Sequence, residues 1–257
     1  MSEYEFLRWE SGEGGIATVW LSRPPVNAIH QPMYGEIRRL FGELGADPAV
    51  NAIVLAGDGR HFCAGNELAE FETMTPENAG ERMLNVREAF WAIYDCPVPV
   101  IAAVQGTAVG TGLAIVASCD VAVAAEGARL GVTEITVGVM GAAKHLSRLM
   151  PQSMVRWMFF SGDPLPAEEF LRFGGVLAVV PADELLAEAR RRAERIARHS
   201  PLAIRYAKRA LNTIEYMELK PGYEFEQGLT GELSGHDDPK EAIRAFFERR
   251  PPRYTGR

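Results

Sequence analysis

Short apolar runs that alternate with helical patterns constrain the fold of this chain more than any other feature. Residues 52–56, 98–104 and 121–124 are almost wholly apolar, as expected of strands that are buried on both faces. A helical periodicity over residues 76–94 separates the first two runs, and a helix from Leu113 separates the second from the third. Strands that alternate with helices predict an α/β fold with a parallel sheet and crossover connections.

The two ends of the chain depart from this alternation. Residues 4–10 and 16–21 are β-rich and flank a glycine-containing turn, which predicts an opening hairpin. The last third of the chain contains helical patterns over residues 183–199, 202–212 and 225–233. We therefore place a boundary at Pro201 and predict a core over residues 1–200, which holds the active site, and a C-terminal helical region over residues 201–257.

Charge and cysteine content exclude several classes of function. The chain has 34 acidic and 27 basic residues and a net charge of −7, so we expect neither nucleic acid nor a membrane surface as a partner. Cys63, Cys96 and Cys119 form no CxxC pair. We therefore expect no disulfide framework, no metal site and a reducing, cytoplasmic location.

A glycine-rich turn and one later carboxylate form the candidate site. Residues 106–112 lead from the second apolar run into a helix, and a helix start has backbone N–H groups free to attract negative charge. Glu134 follows in a mostly apolar stretch, where burial would raise its pKa and a carboxylate could move a proton. Because Ile115 stands where a third glycine is needed, the turn does not fit a dinucleotide fingerprint. The combination predicts an enzyme that forms and quenches an oxyanion.

Six segments, in order along nearly the whole chain, resemble motifs of the crotonase superfamily, also called the enoyl-CoA hydratase/isomerase family. They are RPPVNA (23–28), HFCAGNEL (61–68), PVPVIAAVQG (97–106), CD (119–120), LGVTE (130–134) and FFERRPPRY (246–254). Three positions depart from the usual pattern of the family. Glu67 replaces an aspartate, Cys96 stands where lysine is frequent, and Thr111 stands where glycine is common.

The resemblance implies a spiral of ββα units with a C-terminal α-helical trimerisation region, assembled as homotrimers or hexamers. It implies an acyl-CoA thioester as the substrate and no separate cofactor. Backbone N–H groups of Ala64 and Thr111 would hold the thioester oxygen as an enolate forms, and Glu134 would move the proton. Further substrate contacts are implied at Arg23, Val26, Ala28, Cys63, Gly65, Asn66, Leu68, Gly110, Gly112 and Gly138. The phosphates of coenzyme A need cations, for which the candidates are Arg23, Arg60, Arg249 and Arg250.

One further departure bears on the reaction. Hydratases of the family that use two glutamates carry the first where this chain has Ala114 and the second at the position of Glu134. A single carboxylate is enough to shuttle a proton between carbons, which favours double-bond isomerisation. Hydration stays open, because some members with the second glutamate alone add water. Glu67 and Glu70 are candidates for a compensating acid, and His145 is a candidate assisting group.

Two other interpretations of the function remain open. One is a non-catalytic binding protein on the crotonase fold, including an RNA-binding protein. The acidic balance counts against RNA, and the presence of Glu134 with both turn segments counts against a non-catalytic scaffold. The other is a thioester hydrolase or a C–C bond lyase, since these reactions can share an enolate on the same scaffold.

Overall fold

The fold is described by a computed structural model that covers residues 4–256. Its strands are β1 (Leu7–Ser11), β2 (Ile16–Leu21), β3 (Ala52–Gly57), β4 (Val100–Val104), β5 (Thr107–Val109), β6 (Val121–Ala125), β7 (Arg129–Gly131), β8 (Leu165–Pro166) and β9 (Val179–Val180). Its α-helices are α1 (Gln31–Ala46), α2 (Ala69–Glu72), α3 (Pro76–Tyr94), α4 (Thr111–Ser118), α5 (Ala143–Leu146), α6 (Gln152–Ser161), α7 (Ala167–Arg172), α8 (Leu185–Ala197), α9 (Pro201–Ile214), α10 (Leu219–Ser234) and α11 (Asp237–Glu248).

Two sheets organise these elements. The larger has the order β1-β2-β3-β4-β6-β9, and the smaller has the order β5-β7-β8. In the larger sheet β1 and β2 pair antiparallel, with Leu7 opposite Leu21, and the remaining neighbours pair parallel. The opening hairpin and the α/β class with parallel crossovers are therefore confirmed.

Both faces of the larger sheet are covered, which explains why its strands are apolar throughout. Successive side chains of a strand point to opposite faces. In β3, Ile53 and Leu55 join the core beneath α1, α3 and α4, whereas Val54 joins a second core on the other face. Leu185 and Ala189 bring one face of α8 onto that second core. A polar residue at any position of β3 would therefore be buried, whichever face its side chain points to.

Hydrophobic patterns did not predict every helix or every helix boundary. Helix α4 begins at Thr111, two residues before the predicted start at Leu113. Helices α6 and α11 were not predicted, although Ile243, Phe246 and Phe247 of α11 recur at the helical spacing of three and four residues, a signal that could have identified it. The earlier start of α4 matters for function, since it makes Thr111 the first helical residue.

The C-terminal helices begin at Pro201, where the boundary was placed, and are tied to the core by buried charges. Lys208 Nζ lies 2.6 Å from the carboxylate of Asp120, which also accepts a hydrogen bond from the Val100 N–H. Arg205 donates to the Gly45 carbonyl at 2.7 Å. The division into two regions stays a prediction. Among residues 4–256, no helix combines the length and the apolar character that crossing a bilayer requires.

Candidate active site

The turn at residues 23–28 holds the loop that follows β3. Asn27 is fully buried, and its Nδ2 donates to the carbonyls of Asp58 at 2.9 Å and His61 at 2.8 Å. Its Oδ1 accepts a hydrogen bond from the Arg23 N–H at 2.9 Å. A single amide side chain thus satisfies three backbone groups and fixes where the next segment of the loop begins.

That next segment lies beside β5. The Cys63 N–H donates to the Thr107 carbonyl at 3.0 Å, and the Val109 N–H donates to the Cys63 carbonyl at 3.1 Å. Gly112 permits this approach, because a Cβ there would stand 2.3 Å from the Cys63 oxygen. Burial raises the pKa of the Cys63 thiol to about 12, so this sulfur is protonated at neutral pH.

The prediction that Ala64 supplies a free N–H is wrong. Its N–H donates to the Val26 carbonyl at 3.0 Å. Asn66 instead forms a parallel bridge with Ile29. The Ile29 N–H donates to the Gly65 carbonyl and the Glu67 N–H donates to the Ile29 carbonyl, each at 2.8 Å. The N–H of Asn66 itself therefore points to the other side. No hydrogen bond found within residues 4–256 uses that N–H, so Asn66 replaces Ala64 as the first candidate donor.

The second candidate donor is at the start of α4. Gly110 is the N-cap, with φ of 55°, and its N–H donates to the Gly131 carbonyl at 3.0 Å. Thr111 follows as the first helical residue, so its N–H has no acceptor within the helix. No acceptor outside the helix is found for it in the described part of the chain either. Thr111 therefore stays a predicted donor with geometry that suits the role.

Glu134 begins a 3₁₀ turn, Glu134–Val137, and directs its carboxylate toward these groups. A Cβ built on Gly110 would lie 3.3 Å from Glu134 Oε1, and one on Gly141 would lie 3.1 Å from the same atom. Oε2 is buried and has no hydrogen-bond partner in the part of the chain that the structure describes. Burial raises the pKa of Glu134, although backbone hydrogen bonds at residues 134 and 133 act against the shift. A buried carboxylate oxygen without a partner is typical of a group that acts on a ligand.

These three segments enclose a cavity of about 230 Å³. Its lining includes seven residues singled out from the sequence: Ala64, Gly65, Asn66, Leu68, Gly110, Thr111 and Glu134. Its lining also includes five residues that the sequence reasoning missed: Phe71, Thr133, Thr136, Val137 and Val139. Phe71 follows Leu68 at helical spacing, a signal that could have found it. Among the described residues that line this cavity, Glu134 alone has a titratable side chain.

Six predicted substrate contacts do not line the cavity: Arg23, Val26, Ala28, Cys63, Gly112 and Gly138. Val26 accepts a hydrogen bond from the Ala64 N–H, and Cys63 hydrogen-bonds to β5 and packs against Gly112. Val26, Cys63 and Gly112 support the lining of the cavity without being part of it. The guanidinium of Arg23 binds groups of the protein itself. It donates to the Ala28 carbonyl at 2.9 Å and lies 2.8 Å from the Glu67 carboxylate. Gly138 ends the 3₁₀ turn with φ of 73°, which is a conformational role.

The candidates for a compensating acid lie elsewhere. Glu67 is paired with Arg23, and Glu70 Oε1 accepts the Gln31 N–H at 2.9 Å at the start of α1. Ala114 is only 1% exposed and belongs to the core. His145 stacks edge-on against Phe90 and lines a different cavity of about 380 Å³. Among residues 4–256, none of Glu67, Glu70 and His145 lines the cavity that contains Glu134.

The remaining arginine candidates for coenzyme A phosphates also lie away from this cavity. Arg250 lies 2.6 Å from both the Glu241 and the Glu248 carboxylates. Arg60 lines a third cavity, of about 560 Å³, at the carboxyl ends of the parallel strands. Arg249 is the C-cap of α11 and adopts a left-handed conformation. None of the four candidate arginines lines the cavity that contains Glu134.

We expect Gly110→Ala to lower turnover by disturbing Glu134. The new Cβ would stand 3.3 Å from Oε1, and the positive φ of residue 110, which residues with a Cβ rarely adopt, would also destabilise the fold. Gly127→Ala is the matched control, because Gly127 also has positive φ, of 75°, with nothing within 4 Å of a Cβ. Urea titration and steady-state kinetics of both variants would separate the two effects. Equal activity in the two variants would show that the contact with Glu134 is unimportant.

Comparisons with known proteins agree on one family. The sequence model of the family described as Enoyl-CoA hydratase/isomerase matches residues 11–257. Two relatives bear the name (7aS)-7a-methyl-1,5-dioxo-2,3,5,6,7,7a-hexahydro-1H-indene-carboxyl-CoA hydrolase. The protein from Rhodococcus jostii RHA1 is 37% identical over 93% of each chain, and that from Mycobacterium tuberculosis H37Rv is 40% identical over 86% of this chain and 90% of its own. The crystal structure of an enoyl-CoA hydratase from Bacillus anthracis superposes with a TM-score of 0.93 at 28% identity, covering 98% of this chain and 100% of the other.

Proposed function

Because the chain belongs to the enoyl-CoA hydratase/isomerase family and has the crotonase fold, we propose that it transfers a proton at the carbon next to an acyl-CoA thioester. Glu134 is the acid and base, and the N–H groups of Asn66 and Thr111 hold the thioester oxygen. Coenzyme A enters as part of the substrate, and the chemistry is assigned to protein groups alone.

The observation that supports this proposal is the hydrogen bonding of the polar groups that line the cavity. Within residues 4–256, Glu134 is the single titratable side chain that lines the cavity, and its Oε2 is buried without a hydrogen-bond partner. Two N–H groups without acceptors belong to residues that line the same cavity. A carboxylate that faces preorganised donors suits enolate formation, since removing a proton next to a thioester places negative charge on the oxygen.

A single carboxylate favours double-bond isomerisation of an enoyl-CoA. Glu134 removes a proton from one carbon, the electrons move onto the thioester oxygen as an enolate, and the same group returns the proton to another carbon. The reaction needs no second acid, and Glu67 and Glu70 are engaged elsewhere. Hydration is the other outcome in this class, with Glu134 activating a water molecule instead.

Hydrolysis of an acyl-CoA is a second candidate reaction, favoured by the names of the relatives at 37% and 40% identity. In this chain the attacking group would be a water molecule activated by Glu134. Cys63 does not suit the role of a nucleophile, because its thiol is protonated and lies outside the cavity. Cleavage of a C–C bond would use the same enolate. A non-catalytic role in binding is disfavoured by Glu134 Oε2, which is buried and has no hydrogen-bond partner within residues 4–256.

Product analysis separates these reactions. The purified protein is incubated with a series of trans-2- and trans-3-enoyl-CoA thioesters and with a cyclic acyl-CoA, and the products are identified by mass and NMR. An unchanged mass with a shifted double bond indicates isomerisation. The gain of one water without loss of coenzyme A indicates hydration when NMR shows a hydroxyl in place of the double bond, and cleavage of a C–C bond when NMR shows an opened ring with a new carboxylate. Release of free coenzyme A indicates thioester hydrolysis. Failure to bind or convert any acyl-CoA, together with a salt-dependent shift of RNA, would favour the binding protein instead.

We also propose that the chain assembles as homotrimers or hexamers. Phe246, Phe247 and Leu219 on the C-terminal helices are each at least 78% exposed in the single chain, which would suit burial between subunits. The cytoplasmic location stays a prediction.

A further inference from the structure

A buried tyrosine lies behind the two candidate donors. Tyr34 belongs to α1, is fully buried and does not line the cavity. Its hydroxyl donates a hydrogen bond to Asn66 Oδ1. The same oxygen lies 3.2 Å from Thr111 Oγ1. One hydroxyl group therefore contacts both residues whose N–H groups face the cavity, although these residues lie on different segments of the chain.

The direction of the two hydrogen bonds follows from the available protons. A tyrosine hydroxyl has one proton, which Tyr34 gives to Asn66. Thr111 must therefore donate its hydroxyl proton to the Tyr34 oxygen. Burial raises the pKa of the Tyr34 phenol, so the group remains a neutral donor at neutral pH. The result is a chain of hydrogen bonds from Thr111 through Tyr34 to Asn66.

The ring of Tyr34 is itself held in place. It meets Phe90 of α3 edge-on, with ring centroids 6.1 Å apart. Helices α1 and α3 thus fix the position of the hydroxyl, and the hydroxyl ties the loop after β3 to the start of α4. Neither Asn66 nor Thr111 could move by much without breaking a buried hydrogen bond, which is unfavourable in a site of low polarity.

We propose that Tyr34 is a positioning residue, whose hydroxyl holds Asn66 and Thr111 so that their backbone N–H groups converge on one carbonyl oxygen. The proposal rests on the proposed function, in which that oxygen belongs to an acyl-CoA thioester. It depends on Thr111, since the glycine that is common at this position in the family would have no hydroxyl to offer Tyr34.

Tyr34→Phe is the direct test, because it removes the hydroxyl and keeps the ring against Phe90. We expect kcat to fall about tenfold, as for loss of one or two buried hydrogen bonds that act on the transition state, with KM changed less than about twofold. Tyr94→Phe is the matched control. Tyr94 also loses a hydroxyl that hydrogen-bonds, to Glu215 Oε2 at 2.8 Å and the Asn212 carbonyl at 3.2 Å, but lies outside the site. We expect its kcat to be unchanged.

A second pair of variants approaches the same contact from the other side. Thr111→Val removes the hydroxyl and keeps the shape and the backbone N–H, whereas Thr111→Ser keeps the hydroxyl. We expect Thr111→Val to resemble Tyr34→Phe and Thr111→Ser to resemble the wild type. In the double variant Tyr34→Phe/Thr111→Val the loss should be clearly smaller than the product of the two single losses, since both variants break one contact.

A spectroscopic readout makes the proposal independent of turnover. The probe is an aryl-conjugated enoyl-CoA, whose ultraviolet absorption moves to longer wavelength when its carbonyl accepts hydrogen bonds. We expect a clear shift on binding to the wild type and to Tyr94→Phe, and a smaller shift with Tyr34→Phe and Thr111→Val. An equal shift in wild type and Tyr34→Phe would overturn the role of Tyr34. Absence of any shift in the wild type would instead overturn the proposed function and, with it, this inference.

Discussion

Replacing Glu134 by glutamine is expected to reduce kcat by about 10²–10⁴-fold, the range typical of a lost general acid or base. Glutamine has nearly the same shape as glutamate but cannot accept and return a proton at neutral pH. Since Glu134 is the only titratable side chain that lines the cavity within the described residues, no neighbour is placed to take over. The measurement is steady-state kinetics with whichever enoyl-CoA the product analysis identifies.

Stability provides an internal check on this variant. Burial raises the pKa of Glu134 above its ordinary value of 4.5, so the folded protein binds this proton more tightly than the unfolded chain does. The free energy of unfolding of the wild type therefore decreases as pH rises from the ordinary pKa through the raised one. Glutamine does not titrate. Glu134→Gln should be at least as stable as the wild type at neutral pH, and the difference should disappear in acid.

The same pKa determines how the wild-type rate depends on pH. A base must be ionised, so kcat/KM, which reports the free enzyme, should fall as pH decreases through the raised pKa of Glu134, at a pH above its ordinary value of 4.5. Glu72→Gln is a suitable control, because Glu72 is an exposed carboxylate on α2 outside the cavity. Full activity in Glu134→Gln, or an equal loss in Glu72→Gln, would show that Glu134 is not the proton carrier.

Replacing Thr111 by proline is expected to lower kcat by about 10²–10³-fold relative to Thr111→Ala, as when one oxyanion donor is removed. Proline has no backbone N–H and is tolerated at the first residue of a helix, where that N–H has no partner in the helix. Gly110 precedes it with φ of 55° and ψ of −121°, the mirror image of an extended conformation that glycine adopts freely before proline.

Thr111→Ala is the reference because it also lacks the hydroxyl but keeps the N–H. Circular dichroism and urea titration would establish that α4 still forms in both variants. The bound chromophoric enoyl-CoA should show a smaller spectral shift with proline than with alanine. Equal kcat in the two variants would mean that the Thr111 N–H does not contact the developing charge.

Local patterns in the chain were sufficient to identify the framework of the site. Glu134 could be singled out because a lone carboxylate lies in an apolar stretch after a glycine-rich turn. The helix start near Thr111 could be predicted because glycines lead directly from a buried strand into an apolar helical run. Both signals depend on neighbours in sequence, and the alternation of strands with helices depends on hydrophobic periodicity alone.

The choice of the other donor could not be made in that way. Ala64 and Asn66 are two residues apart in one small-residue turn, and nothing local distinguishes their N–H groups. Only the tertiary structure decides, because Val26 supplies the acceptor that occupies the Ala64 N–H and the bridge with Ile29 turns the Asn66 N–H away.

The sequence by itself therefore determined the α/β class, the resemblance to a family, the candidate acid–base carboxylate and the approximate start of α4. The tertiary structure decided which N–H groups face the cavity, that Arg23 and Glu67 pair with each other, and that Tyr34 joins Asn66 to Thr111. The physical reason is that hydrogen bonds and ion pairs between segments depend on the register in which distant parts of the chain meet. Hydrophobic periodicity predicts which segments are buried, but it does not specify the register of loops or of strands that are apolar on both faces.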